Sequence, residues 1–307
     1  DGMTLSMQDQ QMMLRWVHDN IEAFGGDPNR VGVGGESSAA WDIVRHLMHP
    51  RGRQFFHRAV ISSPPAYFNR YDEERLGRSP SLTEQKAQSD LQFRKLAKLR
   101  GCASGVNLDV DVDCLLRVPA ELIDPAGDFS GIYDPGPDLS MLLGESRRHL
   151  RKVDIIMGHN RDDSGSWWGE GFTMPHINFT REDFRKWAER SWHGFSPRVF
   201  EAYDRPEEVD RIRPDHSTSV WFRTASLAVL HQHFMCPAFA AAGTWANAGL
   251  NPYVYRFDQI PKDKKVICSA MVCDGTETVA NLNGVGSCHG CDIPFWFQQG
   301  SLLSNDQ

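Results

Sequence analysis

The feature that most constrains this chain is the sequence Gly-Glu-Ser-Ser-Ala at residues 35–39. A short apolar run, residues 31–34, predicts a buried strand before it, and residues 40–48 repeat their apolar positions with the period of a helix. A strand, a sharp turn with a central Ser and a helix are together typical of a nucleophile elbow. Such a turn lifts the Ser37 hydroxyl above the sheet edge, where the N–H of Ser38 at the helix N-terminus can stabilise an oxyanion.

A plainer interpretation of the same stretch is a glycine-rich turn whose Ser only caps a helix. The elbow pattern usually has a second Gly where this chain has Ala39. That Gly allows the helix to pack closely against the strand, so Ala39 weakens the match. The strand and the helix on either side of the turn nevertheless favour the elbow.

Length and charge limit the classes of function. The 307 residues are enough for one large domain or two small ones. A formal net charge of −7 and a pI near 5.9 argue against a nucleic-acid partner. No apolar run is long enough to cross a bilayer, so stable membrane insertion is not expected.

Strands and helices are predicted to alternate along the chain. Besides the elbow, apolar runs predict strands at residues 55–62, 153–158 and 252–257, and helices are predicted at 8–24, 84–100, through much of 180–233, at 237–248 and from 293. Alternation of this kind predicts an α/β fold with a mainly parallel sheet covered by helices on both faces. Ligands of such sheets bind beyond the carboxyl ends of the strands, where Ser37, Asp162 and Asp163 are all placed.

Several stretches together resemble the cholinesterase/carboxylesterase family of α/β-hydrolases, also called type-B carboxylesterases. They are residues 9–17, 20–21, Ala-Phe-Gly-Gly-Asp-Pro at 23–28, Gly-Glu-Ser at 35–37, 46–47, 56–59, 153–158, 160–163, 236–237, 253–257, 289–290 and 292–293. The run at 23–28 followed by Gly-Glu-Ser is the most specific of these, and the order of the stretches is that of the family. The resemblance implies the α/β-hydrolase fold and favours the elbow interpretation of Ser37.

The resemblance also implies parts that this sequence does not show. The family has an His-Gly-Gly oxyanion loop upstream of the elbow helix, and nothing before Gln8 matches it. The family also continues beyond the position of Gln307. We therefore expect residues 1–307 to be a single partial catalytic domain, with a mostly helical insertion around residues 170–235. This stretch alone is expected to be nearly inactive, because most of the oxyanion hole lies outside it.

Ester hydrolysis in this fold uses a Ser, an acid and a His, in that order along the chain. Ser37, Asp163 and His289 obey this order, and His289 lies in a Gly-flanked loop just before a predicted helix. The family usually has Glu as the acid. Counting forward from Gly158 favours Asp163, with Asp162 as the fallback, and the plain alternative is a surface pair of carboxylates.

The resemblance implies a serine hydrolase that cleaves carboxylic esters through an acyl-enzyme intermediate. The substrate would be a small-molecule or lipid ester, and neither a cofactor nor a metal is expected. The alternative from another class is a non-catalytic cholinesterase-like domain for adhesion or binding, but such relatives typically lose the Ser or the His. The acyl and alcohol groups and the oligomeric state do not follow from the sequence.

Seven cysteines are present. Four of them surround His289 and predict either two disulfides, with three possible pairings, or a zinc site; they are Cys268, Cys273, Cys288 and Cys291. The resemblance implies a disulfide between Cys102 and Cys114, and a partner for Cys236 beyond Gln307. These pairings indicate a secreted or extracytoplasmic protein.

A few other side chains near the candidate site have two possible roles. Glu36 is expected to lie buried behind Ser37 as a structural hydrogen-bonding partner. Four aromatic side chains close to the candidate loops are either substrate-pocket or ordinary core residues; they are Trp167, Trp168, Phe295 and Trp296.

Overall fold

The computed structural model describes residues 5–48, 52–65, 82–123, 153–164, 178–191, 196–212, 218–260 and 286–298. The chain divides into two compact units. One comprises Asp1–Ala66 with Pro137–Gln307, and the other is Tyr67–Gly136.

The first unit begins with the elements around the elbow. They are helix α1 (Leu5–Asn20), strand β1 (Gly32–Glu36), helix α2 (Ser38–Met48) and strand β2 (Arg58–Ser62), with short 3₁₀ turns at Ile21–Phe24, Pro28–Arg30 and Arg53–Phe55. The first helix, predicted at residues 8–24, therefore begins earlier, at Leu5, and ends earlier, at Asn20. Leu14 is buried, but Phe24, at the end of the predicted helix, is 72% exposed. The change to three residues per turn after Asn20 rotates Phe24 away from the buried face.

The second unit has its own small core. Its elements are α3 (Leu82–Leu99), β3 (Ala103–Ser104), β4 (Asp109–Val110), α4 (Val112–Leu116) and α5 (Ala120–Ile123). Strands β3 and β4 pair antiparallel, and Ala97, Cys102 and Leu115 are buried together. The predicted disulfide between Cys102 and Cys114 is confirmed, with the Cα atoms 5.5 Å apart.

The rest of the first unit is mostly helical between two strands. It contains β5 (Asp154–Asn160), α6 (Arg181–Ser191), α7 (Ser196–Tyr203), α8 (Pro206–Ile212), α9 (Val220–Leu230), a π-helix (His231–Met235), α10 (Cys236–Asn247), β6 (Pro252–Phe257) and α11 (Ile293–Trp296). Helix α6 begins with a reciprocal cap between Thr180 and Asp183. Asp183 accepts a hydrogen bond from the N–H of Thr180, while the Thr180 hydroxyl accepts one from the N–H of Asp183.

The four strands of the first unit form one parallel sheet in the order β1-β2-β5-β6. The prediction of a parallel sheet is therefore confirmed. Glu36 pairs with Ser62, and Ser62 pairs with Gly158, so three strands end side by side. Strand β1 is half-exposed rather than buried, because its only neighbour within the described sheet is β2.

The core of the first unit lies between this sheet and its helices. It contains Val44 and Leu47 of α2, Ile61 of β2, Met157 of β5 and Trp245 of α10, all buried. The predicted apolar face of the elbow helix is thus confirmed at Val44 and Leu47. This packing holds the helix that follows Ser37 firmly against the sheet. Across the described ranges, the helices are too short or too polar to cross a membrane.

Candidate active site

Ser37 lies in a sharp turn between β1 and α2. Its φ angle is +57°, a left-handed conformation that is uncommon for a residue with a side chain. The Ser37 N–H donates to the carbonyl of Ser62 at 3.0 Å, and its own carbonyl accepts from the N–H of Trp41 at 3.1 Å. The turn is therefore bonded to the next strand on one side and to the first turn of α2 on the other.

Gly35 is the residue that lets strand and helix approach closely at this turn. A Cβ atom at Gly35 would lie 2.7 Å from the carbonyl carbon of Ala39 and 2.9 Å from the backbone nitrogen of Ala40. Because those atoms are backbone, they could not move aside cheaply. The approach that the elbow pattern requires is made at Gly35, with the side chain of Ala39 exposed at the surface.

Asp163 follows β5 and is fully buried. Its Oδ2 atom accepts hydrogen bonds from the hydroxyl of Ser63, at 2.8 Å, and from the N–H of Asn160, at 2.7 Å. Its Oδ1 atom lies 2.8 Å from Nδ1 of His289. Since an ionised carboxylate only accepts hydrogen bonds, Nδ1 carries the proton and the lone pair of the neutral imidazole is left on Nε2.

Asp162, the fallback acid, is bonded to the backbone of Ser287. Its Oδ2 atom accepts from the N–H of Ser287 at 2.8 Å and from Nε of Arg161 at 3.0 Å. Its own N–H donates to the Ser287 carbonyl at 3.0 Å. Asp162 therefore anchors the backbone two residues before His289, and Asp163 is the neighbour that contacts the imidazole.

The pKa of His289 is raised above its ordinary value. Burial, the largest single effect, lowers this pKa, but the hydrogen bond that His289 donates to Asp163 and the negative charges of Asp163, Glu36 and Asp292 together outweigh it. The site thus makes His289 a stronger base than a buried imidazole without acidic neighbours.

Glu36 faces His289, which differs from its expected role as a hydrogen-bonding partner behind Ser37. Its Oε1 atom lies 3.2 Å from Nε2 of His289, yet it makes no aligned hydrogen bond with any described residue. Burial raises the pKa of Glu36 to about 7, with smaller contributions from His289, which lowers it, and from Asp163 and Asp292, which raise it. The sequence does not indicate this contact, because the direction of the Glu36 side chain depends on where the His289 loop returns.

Asp292 is a buried carboxylate that the sequence analysis did not single out. It accepts hydrogen bonds from four side chains on three strands and one helix; they are Ser62 at 2.6 Å, Asn160 at 3.2 Å, Tyr255 at 3.1 Å and Trp296 at 2.9 Å. Burial and the charge of Asp292 together raise the pKa of Tyr255 far above its ordinary value. Asp292 therefore joins the carboxyl ends of β2, β5 and β6 to the loop that carries His289.

The π-helix at His231–Met235 brings an aromatic ring to the imidazole. Phe234 is fully buried, and its ring centroid lies 5.2 Å from that of His289. A π-helix inserts an extra residue into a helical turn and so redirects the side chains that follow. The sequence predicts helices that end by residue 233 and resume at 237, and their periodicity does not indicate this contact.

The cysteine predictions have mixed outcomes. Cys288 and Cys291 form a disulfide, with the Cα atoms 5.2 Å apart, so this pair is not a zinc site. Cys236 has no disulfide partner among the described residues. Cys268 and Cys273 lie outside those residues, as do Trp167 and Trp168.

Phe295 and Trp296 pack against strand β6. The ring centroid of Phe295 is 4.9 Å from that of Phe257, and Trp296 is 5.5 Å from Tyr255, both edge to face. These contacts are those of core residues at the end of a sheet. A role for Phe295 and Trp296 in a substrate pocket stays a prediction.

A parallel sheet that carries a strained Ser turn after one strand, and a buried Asp bonded to a His after another, defines the chain as an α/β-hydrolase. A family model described as "Carboxylesterase family" matches residues 5–306. The chain belongs to the carboxylesterase family, which confirms the resemblance and the fold inferred from the sequence.

Individual relatives agree with this assignment. "Cholinesterase 2" of Branchiostoma lanceolatum is 24% identical over 271 residues, covering 82% of this chain and 75% of the relative. "Acetylcholinesterase" of Myxine glutinosa is 29% identical over 194 residues, covering 57% of this chain and 54% of the relative. "Phenmedipham hydrolase" of Pseudarthrobacter oxydans is 40% identical over 87 residues, covering 28% and 18%. The alignment with the Myxine protein therefore spans about half of that protein, and the alignment with the Pseudarthrobacter protein spans less than a fifth of it.

Proposed function

We propose that the full-length protein is a serine hydrolase that cleaves carboxylic esters, with Ser37 as nucleophile, His289 as general base and Asp163 as the acid that orients it. The observation that carries this proposal is the hydrogen bond between His289 Nδ1 and Asp163 Oδ1, 2.8 Å long and shielded from solvent at Asp163. The strained turn at Ser37 supports the same assignment, because such turns expose a nucleophilic hydroxyl at the end of a strand.

In the first half of the proposed reaction, the Ser37 oxygen attacks the ester carbonyl carbon. The Ser37 hydroxyl proton passes to Nε2 of His289, and Asp163 stabilises the imidazolium that results. The N–H of Ser38, which begins α2, donates to the negatively charged carbonyl oxygen of the tetrahedral intermediate. The imidazolium then returns its proton to the alcohol oxygen, the ester C–O bond breaks, and an acyl group remains on Ser37.

In the second half, water attacks the acyl carbon with His289 again accepting the proton. The tetrahedral intermediate collapses to a free carboxylic acid, and the Ser37 hydroxyl is restored. Both halves need a neutral imidazole with a free Nε2, so the rate falls as the pH drops below the pKa of His289.

We assign a small-molecule or lipid carboxylic ester as the substrate. An ester is supported by the Branchiostoma and Myxine relatives, which are named as a cholinesterase and an acetylcholinesterase. The two disulfides, Cys102–Cys114 and Cys288–Cys291, support a secreted or extracytoplasmic location, because such bonds persist in oxidising compartments.

The test is hydrolysis of an activated aryl ester by the full-length protein and by Ser37→Ala. We expect the substitution to remove turnover while leaving the fold intact. Ser38→Ala is the matched control, because it removes the neighbouring hydroxyl and keeps the backbone N–H. Equal activity of the wild type and Ser37→Ala would exclude the elbow from the mechanism, and no hydrolysis by either would favour the non-catalytic binding domain.

A further inference from the structure

His289 lies inside a disulfide-closed turn. Cys288, His289, Gly290 and Cys291 form a β-turn in which the N–H of Cys291 donates to the carbonyl of Cys288 at 3.1 Å. Gly290 has a φ angle of +74°, which a turn can require at its third position and which favours glycine. The disulfide joins the first and last residues of the turn, and both cysteines are fully buried.

The turn is held from outside at both ends. Asn160 donates its side-chain amide to the carbonyl of Cys288, and Asp292, the residue after Cys291, accepts from Ser62. Between these two anchors, His289 and Gly290 are closed into a ring by the disulfide, which is covalent, and by the hydrogen bond from the Cys291 N–H to the Cys288 carbonyl. The imidazole can reach Asp163 only if the backbone of His289 keeps its place in this ring.

We propose that Cys288 and Cys291 are positioning residues: their disulfide holds the His289 turn so that the imidazole stays bonded to Asp163, and a dithiol that reduces the disulfide weakens that contact. This inference rests on the proposed function for its effect on turnover. Its effect on the imidazole itself does not depend on any activity.

The short span of the disulfide makes its effect local. A crosslink lowers the conformational entropy of the unfolded chain, and the loss grows with the logarithm of the number of residues in the loop that it closes. Cys288 and Cys291 are three residues apart, whereas Cys102 and Cys114 are twelve apart. The disulfide that closes the shorter loop therefore contributes less to global stability. Its loss mainly makes the His289 turn more mobile.

The reduction is an ordinary thiol–disulfide exchange. A dithiolate sulfur attacks one sulfur of the protein disulfide, a mixed disulfide forms, and the second thiol of the reagent closes its own ring. One protein disulfide and one dithiol thus give two protein thiols and one cyclic disulfide. Because Cys288 and Cys291 are buried, the turn must open before the reagent can react.

Loosening the turn changes the surroundings of the imidazole in a measurable way. Among the residues that the structure describes, Asp163, Glu36 and Asp292 are the acidic groups that raise the pKa of His289, and their combined effect outweighs the burial that lowers it. When the contact with Asp163 weakens, the pKa of His289 falls. A variant that merely lost stability would not shift this pKa in the folded state.

The experiment compares Cys288→Ser/Cys291→Ser with Cys102→Ser/Cys114→Ser in the full-length protein. The pKa of His289 is measured by NMR of its ring, and kcat and KM are measured against pH. We expect the first variant to lower the His289 pKa, to reduce kcat by about 10–100-fold through misplacement of the base, and to leave KM within about twofold. The second variant should match the wild type in the His289 pKa and in kcat.

If Cys288→Ser/Cys291→Ser does not fold, reduction of the wild type under native conditions tests the same inference. A dithiol is added, the freed thiols are alkylated and mapped by mass spectrometry, and the His289 pKa is measured again. A lower pKa once Cys288 and Cys291 are alkylated supports the inference, and an unchanged pKa and kcat overturn it. A wild type that lacks Ser37-dependent hydrolysis but shows the pKa change would overturn the proposed function and support the positioning role.

Discussion

Glu36 Oε1 lies 3.2 Å from Nε2 of His289, on the opposite side of the imidazole from Asp163. Nε2 is the atom that receives the Ser37 proton in the proposed mechanism. A carboxyl group whose pKa is about 7 therefore sits beside the atom whose protonation controls the rate. Because the two groups are in contact, they are expected to titrate as a coupled pair.

Glu36→Gln should shift the acid limb of the pH profile of kcat/KM to lower pH. Burial lowers the pKa of His289, and the Glu36 charge is among the effects that raise it above its ordinary value. Without that charge the imidazole loses its proton at a lower pH, so the active neutral form persists further into acid.

The control for this prediction is Glu22→Gln, which removes an exposed carboxylate in the 3₁₀ turn after α1. Its profile should coincide with that of the wild type. An acid limb that stays in place or moves to higher pH in Glu36→Gln would show that Glu36 does not act on the His289 proton.

Asp163→Asn should lower kcat by about 10⁴-fold, because an amide cannot hold the imidazole in the required tautomer or stabilise the imidazolium. Asp162→Asn is the matched variant. It keeps an oxygen for the Ser287 N–H and should lower kcat by less than about tenfold, as expected for weakening one hydrogen bond. Steady-state kinetics on one ester compares them, and a larger loss in Asp162→Asn would reverse the assignment of the acid.

Gly35→Ala should destabilise the elbow, because its Cβ atom would meet the backbone of Ala39 and Ala40. Overpacking of this kind costs about 1–3 kcal/mol in the free energy of unfolding. Gly34→Ala, one residue earlier in β1, is the control, since its Cβ would meet only Val60 at 4.0 Å. The free energy of unfolding of Gly34→Ala should differ from that of the wild type by less than about 1 kcal/mol. Urea unfolding distinguishes the two, and equal stabilities would contradict the close approach.

Asp292→Ala should lower the apparent free energy of unfolding by about 3 kcal/mol or more, because buried donors on Ser62, Tyr255 and Trp296 would lose their acceptor. The control is Asp258→Ala, which breaks an exposed ion pair with Arg256 and should cost less than about 1 kcal/mol. Denaturant midpoints compare them. Similar midpoints would show that Asp292 does not hold the strand ends together.

The elements that carry the site could be predicted from the sequence because their signals are local. The apolar run before Ser37 and the helical period after it predict the elbow, and the structure has β1 and α2 there. The end of β5 likewise places Asp163 at the carboxyl edge of a parallel sheet. The preference for Asp163 over Asp162 rested only on counting forward from Gly158, because neighbouring residues at a strand end share every local signal.

The remaining contacts join residues that are distant along the chain. Ser62 and Asp292 are 230 residues apart, and Ser63 and Asp163 are 100 apart. No periodicity or spacing indicates such pairs, because the direction of each side chain depends on how the loops return to the sheet. The contact of Phe234 with His289 depends in addition on a π-helix, a local departure from the period that helix prediction assumes.

The most direct measurement of the central claim is the site of the acyl-enzyme. The full-length protein is mixed with an activated ester near neutral pH and quenched into acid within one turnover, because protonation of His289 then stops deacylation. The protein is digested in acid and the acyl group is mapped by mass spectrometry. The account predicts one acyl group on Ser37, absent in Ser37→Ala and much reduced in His289→Ala. An acyl group on another residue in an active wild type, or acylation that persists in Ser37→Ala, would contradict it.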